Sequence, residues 1–353
     1  MLLPTTYFSV LLLLIGWAAC WGSWANAQKL AGKWRFELYY YDYATGVLLL
    51  GLLAAFTLGE FSPKDLTFSD NLLIASKRQM AWAVASGTAL SLANLLLAAA
   101  VSVSGMSVAF PIAIGLAAVI GTVWTFAGNF QGSTIMLFGG ALLLLIAAVV
   151  NAIAYSGYRE SKRAQAIAAL QPDPRARKKL QAEPGAARGI ALAVVSGIVM
   201  GFFRPLIEMA TEGDGGVAPY GTVLLMSGGM LVAALVLLPF FMAFPIQGDP
   251  VEFAGFFRGT RRQHLWGLLG GVIWGVGALC SLAAKSASGA AQAGTAAVSA
   301  SEAGGAVIAA LWGWTVWRDF NGAQLRARLL ILIMLVLFIV GSAMISIAPL
   351  HGR

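Results

Sequence analysis

Four ionisable side chains stand inside long apolar stretches of this chain: Arg204, Glu208, Lys285 and Glu302. A charged group at the centre of a hydrocarbon layer costs at least about 2.5 kcal/mol, so each needs a partner or a water-filled cavity. Ser288, Gln292, Thr295, Ser299 and Glu302 follow one another at spacings of four and three, which aligns them on one stripe of a helix whose other faces are Ala and Gly. A polar stripe of that kind can wall a cavity, and a buried carboxyl group is the sort of side chain that takes up and releases a proton. Glu302 is therefore the candidate to hold a coupling proton or a substrate N–H. The same stripe also fits a face of small residues packed on another helix, with Glu302 satisfied by a neighbouring hydroxyl. Arg204 and Glu208 are four apart and within ion-pair reach, either as a gate or solute anchor or as a mutually neutralised pair. Pro205 between them frees a backbone carbonyl of the preceding turn, a break of the kind found where irregular backbone lines a cavity. Lys285 falls near a helix end, where its stem can snorkel, and is assigned no role.

Aromatic and amide side chains supply the remaining candidates. Trp17 and Trp21 are four apart, with Ser23, Trp24 and Asn26 close behind, and Trp274 lies in a later apolar run. Such rings stack on planar heterocycles or on the apolar faces of sugars, although Trp24 also suits a membrane interface. Ser91 and Asn94 can present a donor and an acceptor to an amide-like solute, or equally bond between helices. Asp42 reads as a helix cap, favoured by the positive end of the helix dipole. The histidines His264 and His351 have no ligand-spaced partners, and Cys20 and Cys280 sit within apolar runs. Metal catalysis, a Ser-His-Asp constellation and a disulfide framework thus find no support, no cofactor is expected, and the chain does not read as an enzyme. No G-x-x-x-x-G-K-[ST] occurs, so nothing points to nucleotide-driven pumping.

The elements that position these residues follow from composition. Of 353 residues, 59% are hydrophobic and 11% charged, with a mean hydropathy of +0.80, so the chain must be solvated by lipid. Its apolar runs are long and lack period-two alternation, which predicts helices rather than a barrel. Ten are expected, over 5–27, 41–60, 79–101, 104–127, 133–157, 189–211, 218–244, 264–286, 289–317 and 326–348. The first reads as a retained helix; Ala25-Asn26-Ala27 imitates a cleavage site, but no positive charge precedes the run. A basic, proline-broken stretch over 158–188 separates a first half, 1–157, from a second, 189–353. The net charge of +8 comes from short loops rather than from a nucleic-acid-binding domain. Lys29, Lys33, Arg35, the basic residues of 158–188, Arg258, Arg261, Arg262, Arg318, Arg326 and Arg328 all fall between helices on one side, which places both termini outside.

The halves match at a constant offset of 184 residues. Arg78-Gln79 and Trp82 recur as Arg262-Gln263 and Trp266, Gly87 as Gly271, Ser104-Gly105 as Ser288-Gly289, and Gly121 as Gly305. Two related five-helix units are implied, and because five is odd the second is inverted in the membrane. That arrangement lets two packings of one helix set expose a central site to each side in turn, the architecture of secondary transporters.

Tyr41-Asp42-Tyr43, Ala54-Ala55-Phe56-Thr57-Leu58-Gly59-Glu60, Ser91-Leu92-Ala93-Asn94 and Gly105-Met106-Ser107-Val108 follow the order seen in ureide permeases, which the chain resembles most over residues 16–125. Trp21-Gly22-Ser23-Trp24 with Lys29 is similar to the first helix of bacterial rhamnose and glucose uptake permeases; both groups belong to the drug/metabolite transporter superfamily. The resemblance implies an all-α membrane protein of ten helices in two inverted five-helix repeats, importing a small neutral polar solute, a ureide or nucleobase ahead of a sugar. In the rhamnose case transport is coupled to protons. The nucleotide-motif-like signature of the plant central loop is missing, so no role follows from it. The expected setting is a multi-pass protein of a bacterial inner membrane whose partners are the lipid bilayer, a small-molecule substrate and a coupling proton, with no nucleic acid. Export by the same superfamily, and a receptor that no longer transports, remain the alternatives, and the oligomeric state is open.

Overall fold

The computed structural model describes residues 3–61, 66–128, 130, 132–169, 186–246, 248–287 and 295–351, without the side chains of 169 and 295–302. The chain runs α1 (Tyr7–Leu30), α2 (Phe36–Phe56), α3 (Phe68–Ile74), α4 (Lys77–Ser104), α5 (Met106–Ala127), α6 (Thr134–Ala169), α7 (Ala187–Gly201), α8 (Phe203–Thr211), α9 (Pro219–Ala243), α10 (Ala254–Phe257), α11 (Arg261–Lys285), α12 (Thr295–Leu311) and α13 (Leu325–Ile347). Among the described residues there is no strand, and nine helices are long and apolar enough to cross a bilayer, α7 and α8 counting together as one. A shorter apolar helix, Ala303–Val316, ends in a π-helical turn over Trp312–Val316. Phe8, Ile15, Leu53, Ile135, Val236 and Phe240 point outward from the bundle, the surface expected of a chain bathed in hydrocarbon. This is an all-α, multi-pass membrane protein.

Several boundaries differ from those the apolar runs predict. α2 begins at Phe36 rather than at 41, because Arg35 folds onto Glu37, with Nη2 to Oε1 at 2.7 Å, and removes the charge that seemed to forbid an earlier start. Asp42 consequently lies well inside α2 and does not cap it. α6 continues to Ala169 through residues that favour helix, well past the expected end at 157, while 170–185 lie outside the described residues. The run near Pro205 is interrupted at Phe202, where α7 gives way to α8. A proline cannot donate its backbone N–H and crowds the preceding turn, which accounts for a break at this point. α4 and α5 are joined by the single residue Gly105, at φ +85°, a conformation that suits glycine.

The packing partners come in matched sets. α6 lies along α13; α1 packs on α11 and α12, and α7 on α4 and α5; α2 packs on α11, and α9 on α4. Two crossings illustrate the match in atomic detail. A Cβ at Gly46 would overlap the Leu268 carbonyl and one at Gly271 the Tyr43 carbonyl, and at the second crossing between the halves a Cβ at Gly229 would overlap the Val84 carbonyl and one at Gly87 the Met226 carbonyl. Each crossing thus brings backbone onto backbone at two glycines, as small residues permit in lipid, where no hydrophobic effect drives helices together. The repeated Arg-Gln also has a local cause. Gln79 N–H donates to the Ser76 hydroxyl at the start of α4, and Gln263 N–H donates to the Thr260 hydroxyl at the start of α11, the same N-cap in both halves.

Gly87→Ala and Gly271→Ala are each expected to lower stability by about 1–3 kcal/mol through overpacking, and by similar amounts. Heat unfolding in detergent measures this; an unchanged midpoint for either would mean that the helices do not meet so closely there.

Candidate functional site

A cavity of about 740 Å³ enters the bundle from the end at which α5, α8 and α11 finish, and reaches its middle. Thr125, Phe130, Thr211, Lys285, Ser286 and Pro349 stand around the mouth. Its inner wall holds Trp17, Trp21, Trp274 and Phe338. The three tryptophans meet there because Trp17 and Trp21 are one turn apart on α1 and α1 packs on α11. Their rings are 5.0 Å apart for Trp17 and Trp21, nearly parallel at 28°, with Trp274 at 6.5 and 6.0 Å from them. The indole N–H groups of Trp17 and Trp274 are buried and have no acceptor among the described residues. Such a floor offers ring faces for stacking.

Arg204 and Glu208 also line the cavity, brought there by the break between α7 and α8. Arg204 Nε lies 3.5 Å from Glu208 Oε1, and Trp124 Nε1 donates to Glu208 Oε2 at 3.0 Å. Both side chains are partly exposed, so the pair orients more than it stabilises. Ser281 was not anticipated as a lining residue. The signal was available, since Trp274, Ala278, Ser281 and Lys285 recur at spacings of four, three and four along α11.

The structure does not bring Ser91, Asn94 or Asn26 into the cavity wall. Ser91 Oγ donates to the Met230 carbonyl at 3.0 Å and Asn94 Nδ2 to the Tyr43 hydroxyl at 3.2 Å, each bond between neighbouring helices. Asn26 accepts from Trp317 Nε1 at 2.6 Å. Gln292 and Ser288 lie outside the described residues, as do the side chains of Thr295, Ser299 and Glu302, though the backbone of the last three is in α12.

Beyond the tryptophan floor polar contacts fasten the other end, around a second cavity of about 690 Å³ that Lys29, Trp317 and Asp319 help to line. Lys29 Nζ meets Asp319 Oδ1 at 2.7 Å and lies 5.2 Å from the centre of the Trp317 ring. The Ser107 N–H donates to the other Asp319 oxygen at 3.1 Å, and Trp312 Nε1 to Ser23 at 3.0 Å. The π-helical turn presents Trp312 and precedes Trp317 and Asp319, so a local widening of α12 aims these groups at α1. On the opposite flank His264 Nδ1 is 2.9 Å from Asp42 Oδ2, with Trp34 and Phe256 edge-on to the imidazole. Sequence spacing could not reveal this pair, because its members belong to different halves. At the positions related by the 184-residue offset stand Met80 and Met226, so the repeat does not reproduce the pair.

Lys29→Met would leave the largely buried Asp319 carboxylate without its cation, a loss on the order of 3–5 kcal/mol for a buried pair. Lys29→Met with Asp319→Asn should regain much of it. Unfolding midpoints of the two single variants and the double variant measure this coupling. Strictly additive losses would mean that the pair contributes nothing as a pair.

The ureide permease family profile matches residues 39–184 of the chain. Ureide permease 1 of Arabidopsis thaliana is 23% identical over 355 residues, covering 89% of this chain and 90% of that protein. Ureide permease 2 of the same plant is 22% identical, again covering 89% and 90%. No solved structure matches. The matched span takes in α2, with Asp42, and α4, with Ser91 and Asn94. The chain is thus a transmembrane protein similar to ureide permeases, over residues 39–184 by family profile and over most of its length to the two plant proteins.

Proposed function

We propose that this protein is a secondary uptake carrier for a small, planar, polar solute of the ureide or nucleobase type, working by alternating access. The solute-sized cavity floored by Trp17, Trp21 and Trp274 is the observation that carries the reading. A planar ring stacks on those indoles, and its polar edge is left to face Arg204, Glu208 and Ser281 across the cavity. A sugar, which needs acceptors as well as donors around its hydroxyls, finds fewer partners on that floor. The names of the two plant relatives support the same class of solute.

The matched packing partners and the paired glycine crossings favour two five-helix repeats of opposite orientation. α12 is then part of the tenth crossing. In this conformation the fastened end carries Lys29, Lys33, Arg35, Arg258, Arg261 and Arg262, which the positive-inside rule assigns to the cytoplasm. The cavity therefore faces outward, on the same side as both termini, in a cell membrane of bacterial inner-membrane type. Glu302, on α12 beside the cavity residue Ala303, is the candidate for proton coupling.

Uptake of labelled allantoin, uracil, rhamnose and glucose into proteoliposomes, with and without an inward proton gradient, tests the function. Accumulation of allantoin or uracil is expected; uptake of sugars alone, or of nothing, would overturn the assignment. Glu302→Gln should abolish gradient-driven accumulation and leave exchange intact, and unaltered accumulation would remove Glu302 from coupling. Trp21→Ala should raise the half-saturation concentration about 3- to 10-fold, the loss of one aromatic stack. An unchanged value would assign Trp21 to helix packing alone.

A further inference from the structure

Between the tryptophan floor and the fastened end lies a dry layer of polar side chains. Trp24 is one turn along α1 from Trp21, and Tyr39, Tyr40 and Tyr43 face it from α2, with Asn94 from α4; all five are fully buried. The rings of Trp24 and Tyr43 are 5.0 Å apart, and those of Tyr39 and Tyr43 are stacked at 6.2 Å. Tyr40 donates to the Ser91 carbonyl and Tyr43 accepts from Asn94, so part of the layer is satisfied. Three atoms are not: the Trp24 indole N–H, the Tyr39 hydroxyl and the Asn94 carbonyl oxygen have no partner among the described residues. The Tyr39 hydroxyl rests against Gly270 of α11, where a side chain would displace it. None of the three residues borders the cavity.

Buried polar atoms are paired in the great majority of cases, because leaving one unpaired in a dry interior is costly. Three together on the axis of the bundle, one turn past a solute-sized cavity, need a reason. Parting α11 from α2 would uncover the Tyr39 hydroxyl at the edge of this layer, since Gly270 is what covers it and the Asp42–His264 contact holds the same two helices together.

We propose that Trp24, Tyr39 and Asn94 form a second solute-contacting layer, exposed when the fastened end opens, which takes the N–H and C=O edge of a planar cyclic amide. The inference rests on the carrier reading above and extends it to the opposite-facing state. The indole N–H donates to the solute carbonyl, the Asn94 oxygen accepts from the adjacent solute N–H, and the Tyr39 hydroxyl serves as either. Solute passing the tryptophan floor then exchanges one set of bonds for another without an intervening dry step.

Tyr39→Phe is the discriminating variant, because the hydroxyl it removes has no partner among the described residues and its loss should not lower the unfolding midpoint. Half-saturation for labelled allantoin and uracil is measured from each face, in vesicles of known protein orientation. Tyr39→Phe should leave the value at the cavity face within twofold and raise it at the opposite face about fivefold, the usual loss for one hydrogen bond. Trp24→Phe should behave alike. Unchanged values at the opposite face in both variants would make the layer mere packing, and equal weakening from both faces would make it part of the cavity site; either overturns the proposal. Failure of the unaltered protein to carry either compound would instead overturn the carrier reading, and this inference with it.

Discussion

Hydrocarbon offers no hydrogen-bond partners, so the backbone of a membrane chain must satisfy itself within helices and cannot adapt by forming loops or sheet edges in the interior. Adaptation is left to the crossings between helices. In this bundle the tightest crossings are backbone against backbone, at Gly46 and Gly271 in one place and at Gly87 and Gly229 in the other. With no side chain between them, these helices have no layer of interdigitated residues to repack when they slide. They behave as pivots, and the cavity and the fastened end take shape on either side of them.

Around those pivots the polar groups divide into two kinds. At the fastened end they are paired across helices, as Lys29 with Asp319, Asp42 with His264 and Asn26 with Trp317. In the cavity and just past it, the indole N–H groups of Trp17, Trp24 and Trp274 have no acceptor among the described residues, although Glu208 is paired there with Arg204 and Trp124. The cross-helix pairs of the fastened end make it the lock of this conformation. The lock has moderate strength, because a partly exposed ion pair gains little and a buried one first loses its hydration. A fastening of that strength is suited to being opened in each cycle.

Much of the fold was legible because run length alone carries the signal for a spanning helix, and because Ser76 and Thr260 place the same cap before the same Arg-Gln. The tryptophan floor was legible for a similar reason, since Trp17 and Trp21 share a helical face. The pairing of Asp42 with His264 was hidden, as it depends on which faces of α2 and α11 meet, and the apparent place of Asp42 at a helix start disguised it further. The early start of α2 was missed because Glu37 counts as a charge in hydropathy although Arg35 neutralises it. Ser91 and Asn94 were recognised as unusual polar groups in an apolar helix, but whether such a group faces a solute or a neighbouring carbonyl is settled by rotation about the helix axis. Composition does not record that rotation.

Gly105 joins α4 to α5 with no loop at all, and the Asp319 carboxylate occupies the space where its side chain would be. A connection one residue long has almost no slack, so the two helices form a bent lever whose elbow is held at the fastened end. α5 borders the cavity through Ile114 and Thr122, and α4 carries Asn94. Any tilt of one arm must therefore carry the other with it through that elbow, beside the Asp319 carboxylate.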